Sequence, residues 1–265
     1  METLYNKGSK IMRHRRKRQP QQKGTQQRPQ NQKQQVQNED KKQERQPEQQ
    51  FRLEPITKNH LEYIHKIEDN TITFCIGPAG SSKSYTSIGV GCEYLLNGTY
   101  DKIIICRPAV EAVGNQSKGL GYLKGDLEEK LAPYVLPTVE HLKKFLGKDR
   151  YGKLYHDGKI QFKALEYCRG LSFDNAYIIG EEFQSASTEQ IKMFVTRIGK
   201  DSKMVLSGDL EQSDVKRTNN IYSTDFEYVI SKIEYADLYD FGVMKLNDSD
   251  IVRNKLIGPF LQALK

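Results

Sequence analysis

One loop of the sequence has the residue types of a phosphate-binding site. It reads Gly-Pro-Ala-Gly-Ser-Ser-Lys-Ser from Gly77 to Ser84, after a predicted strand and at the start of a predicted helix. In such a loop, backbone N–H groups surround a phosphate, Lys83 reaches the β- and γ-phosphates, and the Ser84 hydroxyl holds Mg²⁺. The predicted nucleotide-binding residues are Gly77, Pro78, Ala79, Gly80, Ser81, Ser82, Lys83, Ser84 and Tyr85.

The loop departs from the pattern G-x-x-x-x-G-K-[ST] at Ser82, where the pattern has its second glycine. That glycine lets the backbone adopt a positive φ close to the phosphates, and a serine in this conformation costs on the order of 1–2 kcal/mol. We therefore expect Ser82 to weaken a nucleotide site. The alternative interpretation is an ordinary strand–turn–helix connection with a surface lysine.

An acidic pair, Glu181-Glu182, follows the apolar segment 176–180. Nucleoside triphosphatases place one carboxylate at a strand end to position Mg²⁺ and a second to polarise the attacking water. We predict that Glu181 holds the metal together with Ser84, and that Glu182 orients the water. An exposed acidic pair that caps the following helix is the alternative.

A third segment, Gly-Asp-x-x-Gln from Gly208 to Gln212, also follows an apolar run. Helicase-like ATPases have this segment after a strand, and its glutamine contacts the γ-phosphate. Gln212 therefore joins Lys83 and Glu182 as a predicted catalytic residue. Open parallel sheets bind ligands outside the carboxyl ends of their strands, so we expect the three segments to meet at one edge.

The elements that must position these segments are strands alternating with helices. This alternation predicts an α/β fold with a buried, mostly parallel sheet. Pro133 and Pro137 are expected to interrupt or kink one helix. The predicted strands are 71–76, 102–106, 161–165, 176–179 and 203–207, and the predicted helices are 58–68, 83–96, 124–145 and 189–198.

Charge divides the chain into a basic tail and a nearly neutral body. Residues 1–50 hold 13 Lys or Arg and 5 Asp or Glu, whereas residues 51–265 hold 28 and 29. Residues 13–50 contain one aliphatic side chain, Val36, so we predict that the tail is disordered. Its basic cluster could contact nucleic-acid phosphates, serve only solubility, or act as a nuclear import signal. The cluster contains Arg13, Arg15, Arg16, Lys17 and Arg18.

Other features exclude several classes of protein. No run approaches the roughly 20 apolar residues of a membrane span, and the first residues lack the apolar core of a secretory signal. The four cysteines form no Cys-x-x-Cys pair, which argues against a zinc ribbon or a redox motif. Each lies in or beside an apolar segment, so we expect reduced, buried thiols in a cytoplasmic protein with no membrane partner.

The body resembles the phosphate-starvation-inducible PhoH family of P-loop ATPases. The resemblance implies a single RecA-like P-loop domain over residues 51–265, akin to one lobe of superfamily 1 helicases. It also implies ATP and Mg²⁺ as ligands, ring-forming oligomers and, for members with an extra N-terminal domain, RNA unwinding. Short stand-alone versions are frequent in bacteriophages, so we expect a phage source. The matching segments are 77–80, 107–112, 120–130, 169–176, 192–199, 202–214 and 250–254.

Four positions depart from the family pattern. Glu181 replaces Asp, Gly180 replaces Leu, Ser82 replaces Gly, and His60 stands where the family has a Gln that could read adenine. The leading hypothesis is a Mg²⁺-dependent ATPase that works as an oligomer on RNA or single-stranded nucleic acid. The departures motivate a second one, a nucleotide-binding regulatory or assembly protein with weak or lost turnover. A simple kinase is less favoured, because Gly-Asp-x-x-Gln has no role there.

Arginines could complete the site from a neighbouring subunit. We name Arg253 as a catalytic candidate that reaches the γ-phosphate in trans, which can accelerate hydrolysis by ~10³-fold. A structural ion pair is the alternative for Arg253 and the favoured role for Arg197. Arg107 and Arg169 could each contact a nucleic-acid phosphate or a structural carboxylate.

Overall fold

The computed structural model describes residues 52–108, 127–213 and 221–252, with the single residues 256 and 263. Over 127–133 it describes the backbone alone. The motif residues 109–126 lie outside this part of the chain. So do the predicted site residues Arg13, Arg15, Arg16, Lys17, Arg18 and Arg253.

Strands and helices follow one another through the described body in a mostly alternating order, as the sequence predicts. The strands are β1 (Ile72–Ile76), β2 (Lys102–Arg107), β3 (Ile160–Ala164), β4 (Ala176–Gly180), β5 (Lys203–Gly208) and β6 (Phe241–Lys245). The helices are α1 (Lys58–Asp69), α2 (Lys83–Asn97), α3 (Leu127–Leu146), α4 (Lys148–His156), α5 (Thr188–Val195) and α6 (Asp225–Ala236).

The six strands form one sheet in the order β3-β2-β4-β5-β1-β6, and every neighbouring pair is parallel. This confirms the predicted parallel α/β sheet. The register aligns the strand ends, because Ile76 of β1 lies opposite Gly208 of β5 and Cys106 of β2 lies opposite Gly180 of β4. The three motif segments therefore leave the sheet at the same edge, with β5 between the phosphate loop and the acidic pair.

A hydrophobic core covers each face of the sheet. Ile103, Ile105 and Tyr177 point into one core, whereas Ile104 and Ile178 point into the other. These uninterrupted apolar runs are therefore buried on both faces, as expected for central parallel strands. The four cysteines are buried with free thiols, which confirms their predicted burial. Within the described ranges, no helix is long and apolar enough to cross a membrane.

The expected interruption of helix α3 at Pro133 or Pro137 is wrong, because the helix is continuous from Leu127 to Leu146. Its carboxyl-terminal half is held by burial of Leu142 and Phe145, and this tertiary packing outweighs the local cost of proline. The sequence also failed to predict α4, α6 and β6. β6 is a five-residue strand that extends the sheet beyond β1.

Candidate functional site

The phosphate loop connects β1 to α2 through two residues with left-handed backbones. Gly80 has φ 80° and Ser82 has φ 58°. Glycine adopts this conformation freely, whereas serine there carries about 1–2 kcal/mol of strain. The backbone conformation expected at Ser82 is thus confirmed. Among the described residues, the Ser82 side chain caps none of the N–H groups that begin α2, so these donors face the loop.

Lys83 lies across its own loop. Its Nζ donates hydrogen bonds to the carbonyl oxygens of Gly77, at 2.6 Å, and Pro78, at 2.9 Å. Burial lowers the pKa of Lys83, against the raising influence of the Asp209 carboxylate. A neutral carbonyl binds an ammonium group more weakly than a phosphate does, so Lys83 is placed to exchange these carbonyls for phosphate oxygens.

Two contacts with other parts of the chain support the phosphate loop. His60 Nε2 lies 3.0 Å from the Ser81 carbonyl oxygen, and His60 Nδ1 accepts a hydrogen bond from the Thr57 backbone at 3.2 Å. Because Nδ1 is the acceptor, Nε2 carries the proton and donates it to Ser81. On the other side, the Val252 backbone N–H donates to the Gly80 carbonyl. Both ring nitrogens of His60 form hydrogen bonds with backbone atoms of the protein. The side chain therefore supports the phosphate loop and is not positioned to recognise an adenine base.

The two carboxylates of the acidic pair have different surroundings. Glu181 is 3% exposed and accepts a 2.7 Å hydrogen bond from the Thr138 hydroxyl. Glu182 has a side chain that is 47% exposed and a left-handed backbone with φ 58°. Its Oε1 lies 3.3 Å from Arg107 Nη2, and its Oε2 accepts from Gln184 Nε2 at 2.7 Å. Glu181 is thus buried and held by one hydrogen bond, whereas Glu182 is half exposed and held by an ion pair and a hydrogen bond.

The Phe183 ring explains why a glycine stands at position 180. A Cβ atom at Gly180 would lie 2.6 Å from the ring of Phe183, which is fully buried. The leucine that the family pattern has at this position would therefore displace the Phe183 ring. The glycine leaves the backbone of the acidic pair in place.

Gln184 joins the acidic pair to the third motif. While its Nε2 donates to Glu182, its Oε1 accepts a hydrogen bond from the Asp209 backbone at 3.0 Å. Asp209 is 6% exposed, and burial raises the pKa of its carboxyl against the lowering influence of Lys83. The sequence contained this aspartate within Gly-Asp-x-x-Gln, but only Gln212 was predicted from that motif.

A cavity of about 470 Å³ brings the three segments together at the carboxyl edge of the sheet. Gly77, Pro78 and Ser81 do not line it, and they shape the loop from its far side instead. The predicted residues that line it are Ala79, Gly80, Ser82, Lys83, Ser84, Tyr85, Glu181, Glu182 and Gln212. The lining residues that were not predicted as part of a nucleotide site include Arg107, Thr138, His141, Lys144 and Asp209.

The cavity has oxygen ligands that suit Mg²⁺. The part of the chain described here has no group of three or more His, Cys, Asp or Glu side chains placed to hold a metal ion. The Ser84 hydroxyl and the Glu181 carboxylate nevertheless both line the cavity. Mg²⁺ usually takes one or two protein oxygens and completes its octahedron with waters and substrate phosphates. These two residues therefore fit the predicted metal role.

Arg197 makes contacts that support a structural role. Its Nε donates to the Met193 carbonyl at 3.1 Å, and its Nη1 donates to the Leu171 carbonyl at 3.2 Å. It does not line the cavity. Arg107, for which the sequence left two roles open, contacts the carboxylate of Glu182.

Comparisons with known proteins identify the family of this chain. A family model described as PhoH-like protein matches residues 52–265. The chain is 35% identical over 207 residues to the PhoH-like protein of Bacillus subtilis (strain 168), which covers 78% of this chain and 62% of that protein. It is 34% identical over 202 residues to the PhoH-like protein of Synechocystis sp., with 76% and 59% covered. The chain thus spans about three fifths of the length of these relatives.

Among solved structures, the Hef helicase domain of Pyrococcus furiosus aligns with a TM-score of 0.41 and 12% identity. The alignment covers 72% of this chain and 38% of that one. The family match, in contrast, extends over the entire body, including every strand of the parallel sheet and the loop that follows β1. On that basis, the chain belongs to the PhoH-like protein family, and its body is an α/β domain built on one parallel six-stranded sheet.

Proposed function

We propose that the chain is a Mg²⁺-dependent ATPase. The observation that carries the proposal is that Lys83, Ser84, Glu181, Glu182 and Gln212 all line one cavity. These residues come from the phosphate loop, the acidic pair and the Gly-Asp-x-x-Gln segment. Together they supply the ammonium, hydroxyl, carboxylate and amide groups that phosphoryl transfer to water uses. A cavity at the carboxyl edge of a parallel sheet is also where this architecture binds nucleotides.

The proposed reaction is an in-line attack of water on the γ-phosphate. Lys83 leaves the carbonyls of its own loop and neutralises charge on the β- and γ-phosphates. Glu182 accepts a hydrogen bond from the attacking water and orients it. Gln212 contacts the γ-phosphate. Mg²⁺, when bound by Ser84 and Glu181, would polarise phosphate oxygens and offset the charge that develops on them.

A second candidate function is nucleotide-dependent regulation or assembly with weak or lost turnover. The observation that favours it is that both oxygens of Glu182 already have partners, because Oε1 forms an ion pair with Arg107 and Oε2 accepts a hydrogen bond from Gln184. A carboxylate held in this way is less available to a water molecule. The Ser82 side chain, which lines the cavity where the motif has a glycine, adds a departure inside the phosphate loop.

The proposal also covers the domain organisation, the nucleic-acid partner and the oligomeric state of the chain. Residues 1–50 form a separate basic tail, and 51–265 form the ATPase domain. The basic cluster at residues 13–18 contacts RNA or single-stranded nucleic acid. The domain works as a homo-oligomeric ring in the cytoplasm, with Arg253 completing a neighbour's site.

Turnover of ATP by the full chain tests the ATPase proposal. Phosphate release is measured with Mg²⁺, with and without RNA, for the parent and for Lys83→Ala and Glu182→Gln. Glu140→Gln is the matched control, because Glu140 is exposed on α3 and forms an ion pair with Lys143 of the same helix. We expect turnover by the parent and the control, and a loss of at least about 10²-fold in Glu182→Gln.

Equal rates for the parent and Lys83→Ala would overturn the ATPase proposal. If ATP still binds the parent in a calorimetric titration while no variant changes the residual rate, the regulatory alternative replaces it. Thermal unfolding of each variant shows that a lost rate does not come from a lost fold.

A further inference from the structure

Arg107 is the last residue of β2 and lines the same cavity as Lys83. Its Nη2 lies 3.3 Å from Glu182 Oε1, and its Nη1 donates to the backbone carbonyl of Tyr134 in α3. The side chain is 20% exposed, so its charge is largely shielded from water. Arg107 therefore lies between the water-orienting carboxylate and the wall formed by α3.

The Arg107–Glu182 pair competes with the proposed task of Glu182. One carboxylate oxygen is paired with the Arg107 guanidinium at 3.3 Å, and the other accepts a hydrogen bond from Gln184 at 2.7 Å. A carboxylate that orients water needs an accepting oxygen directed at that water. Each carboxylate oxygen has two lone pairs, so Glu182 can accept from a water beside its present partners, but release of Arg107 would leave Oε1 wholly to that water.

A γ-phosphate is the stronger competitor for Arg107. Its terminal oxygens carry more negative charge than one carboxylate, and a guanidinium matches phosphate geometry with two parallel N–H donors. Gln184 has no net charge and is fixed at its other end by Asp209. Arg107 is therefore the donor that an incoming triphosphate would draw away.

Resting on the proposed ATPase function, we propose that Arg107 recognises the γ-phosphate by exchanging Glu182 for it. The exchange distinguishes a nucleoside triphosphate from a diphosphate, because only the triphosphate offers the competing group. It also releases Glu182 Oε1 to accept from water. The bond from Nη1 to Tyr134 anchors the guanidinium, so the change of partner is confined to the Nη2 side.

The test compares binding of two nucleotides by the full chain. The probes are the Mg²⁺ complexes of ADP and of the β,γ-imido analogue of ATP, titrated calorimetrically. Arg107→Ala should weaken binding of the analogue about tenfold or more, since it removes a charge-assisted contact, and should leave the Kd for ADP within about twofold. Arg107→Lys keeps the charge without the planar fork, and an intermediate Kd is expected. Arg169→Ala is the control, because Arg169 is exposed and does not line the cavity.

A second variant tests the exchange itself. Glu182→Gln removes the competing carboxylate, so it should tighten binding of the analogue about two- to fivefold, the value of a partly exposed ion pair. The gain should vanish in the double variant Glu182→Gln with Arg107→Ala. A purely structural ion pair would produce neither the selective loss for the triphosphate nor this coupling.

The outcomes separate this inference from the proposed function. If the folded parent binds neither probe, the nucleotide site itself is wrong and the inference falls with it. If the parent binds both probes and Arg107→Ala changes both Kd values equally, or neither, the nucleotide site stands and the inference is overturned. Thermal unfolding in the absence of nucleotide establishes that each variant is folded.

Discussion

The hydroxyl of Thr138 donates a 2.7 Å hydrogen bond to the carboxylate of Glu181, and both side chains are buried. Thr138 lies in α3, one residue after Pro137, whereas Glu181 follows β4. The bond leaves one carboxylate oxygen of Glu181 for another partner and fixes the direction in which it points. A helix that the sequence did not associate with the site thus orients the predicted metal ligand.

Replacing Thr138 by Val should weaken the dependence of turnover on Mg²⁺. Valine keeps the shape of threonine but removes the donor, so Glu181 is no longer held in one orientation. We expect the Mg²⁺ concentration for half-maximal turnover to rise about three- to tenfold, and the free energy of unfolding to fall by about 1–3 kcal/mol, because a buried carboxylate loses a partner. A Mg²⁺ titration and denaturant unfolding measure the two effects.

Thr196→Val is the matched control for this prediction. Thr196 donates to a carbonyl at the exposed end of α5 and does not line the cavity. An unchanged Mg²⁺ requirement in Thr138→Val, with the fold intact, would show that Glu181 does not depend on Thr138 for its orientation.

The sequence predicted the parts of the site that lie next to each other along the chain. Lys83 and Ser84 belong to one motif, and Glu181 and Glu182 to another, so residue type and spacing were sufficient. Thr138 could not be predicted, because it lies 43 positions from its partner Glu181 and carries no motif of its own. Its role depends on how α3 packs across the ends of β2 and β4.

The fold was predictable to a similar extent. Apolar runs such as Ile103–Ile105 identified the central strands, but periodicity contains no information about which strands pair. Hydrophobicity alone also places Leu61 on the buried side of α1, whereas Leu61 is 41% exposed and the polar residue His60 is 1% exposed. His60 is buried in place of Leu61 because α1 packs against the phosphate loop, where the His60 ring forms a hydrogen bond with the Ser81 carbonyl.

Asp250 should make the stability of the protein depend on pH. Its carboxylate accepts from the Thr57 hydroxyl and the Asn59 amide, each at 2.8 Å, and from the Asn247 backbone at 3.0 Å. Burial would raise the pKa of Asp250, but the hydrogen bonds from Asn59, Asn247 and Thr57 together lower it. The folded pKa thus lies below the unfolded one. The stabilisation is complete above the unfolded pKa and is lost as the pH falls through the folded pKa.

The variant Asp250→Asn tests this relationship. The NH₂ group of the asparagine would face one of the three groups that donate hydrogen bonds to the Asp250 carboxylate, so that hydrogen bond is lost. We therefore expect the free energy of unfolding at pH 7 to fall by about 1–2 kcal/mol. The difference between parent and variant should shrink as the pH is lowered from about 5 to about 2, where the carboxylate takes up a proton. Urea unfolding at several pH values measures it, with the exposed Asp149→Asn as control. A difference that stays constant with pH would contradict the assigned ionisation.

The basic tail should supply most of the affinity for RNA. Residues 1–50 have an excess of Lys and Arg, whereas the body has 28 basic and 29 acidic residues. We expect that replacing Arg13, Arg15, Arg16, Lys17 and Arg18 with Gln lowers affinity and reduces the slope of log Kd against log salt by about 3 for a single-stranded RNA. Fluorescence anisotropy at several salt concentrations measures both quantities. Basal ATP turnover should remain, and an unchanged slope would exclude the cluster as the contact.

Ser82 is the N-cap residue of α2 and has φ 58°, so its backbone strain belongs to the turn from β1 into α2. Strain that exists in both the free and the bound protein cancels in the binding free energy. Its relief in Ser82→Gly should therefore appear as stability, about 1 kcal/mol in the free energy of unfolding after the entropy of the added glycine is subtracted. ATP affinity should change only through loss of the Cβ and hydroxyl, which we expect to keep the Kd within about threefold.

Asp201→Gly provides a matched comparison for Ser82→Gly. Asp201 has φ 53°, is exposed, and does not line the cavity. Both glycine variants should gain similar stability in thermal unfolding, and neither should change the Kd for Mg²⁺·ATP by as much as about tenfold. If Ser82→Gly tightens ATP by that amount while Asp201→Gly does not, the Ser82 side chain itself crowds the phosphates. The departure at Ser82 would then be a direct steric cause of a weakened nucleotide site.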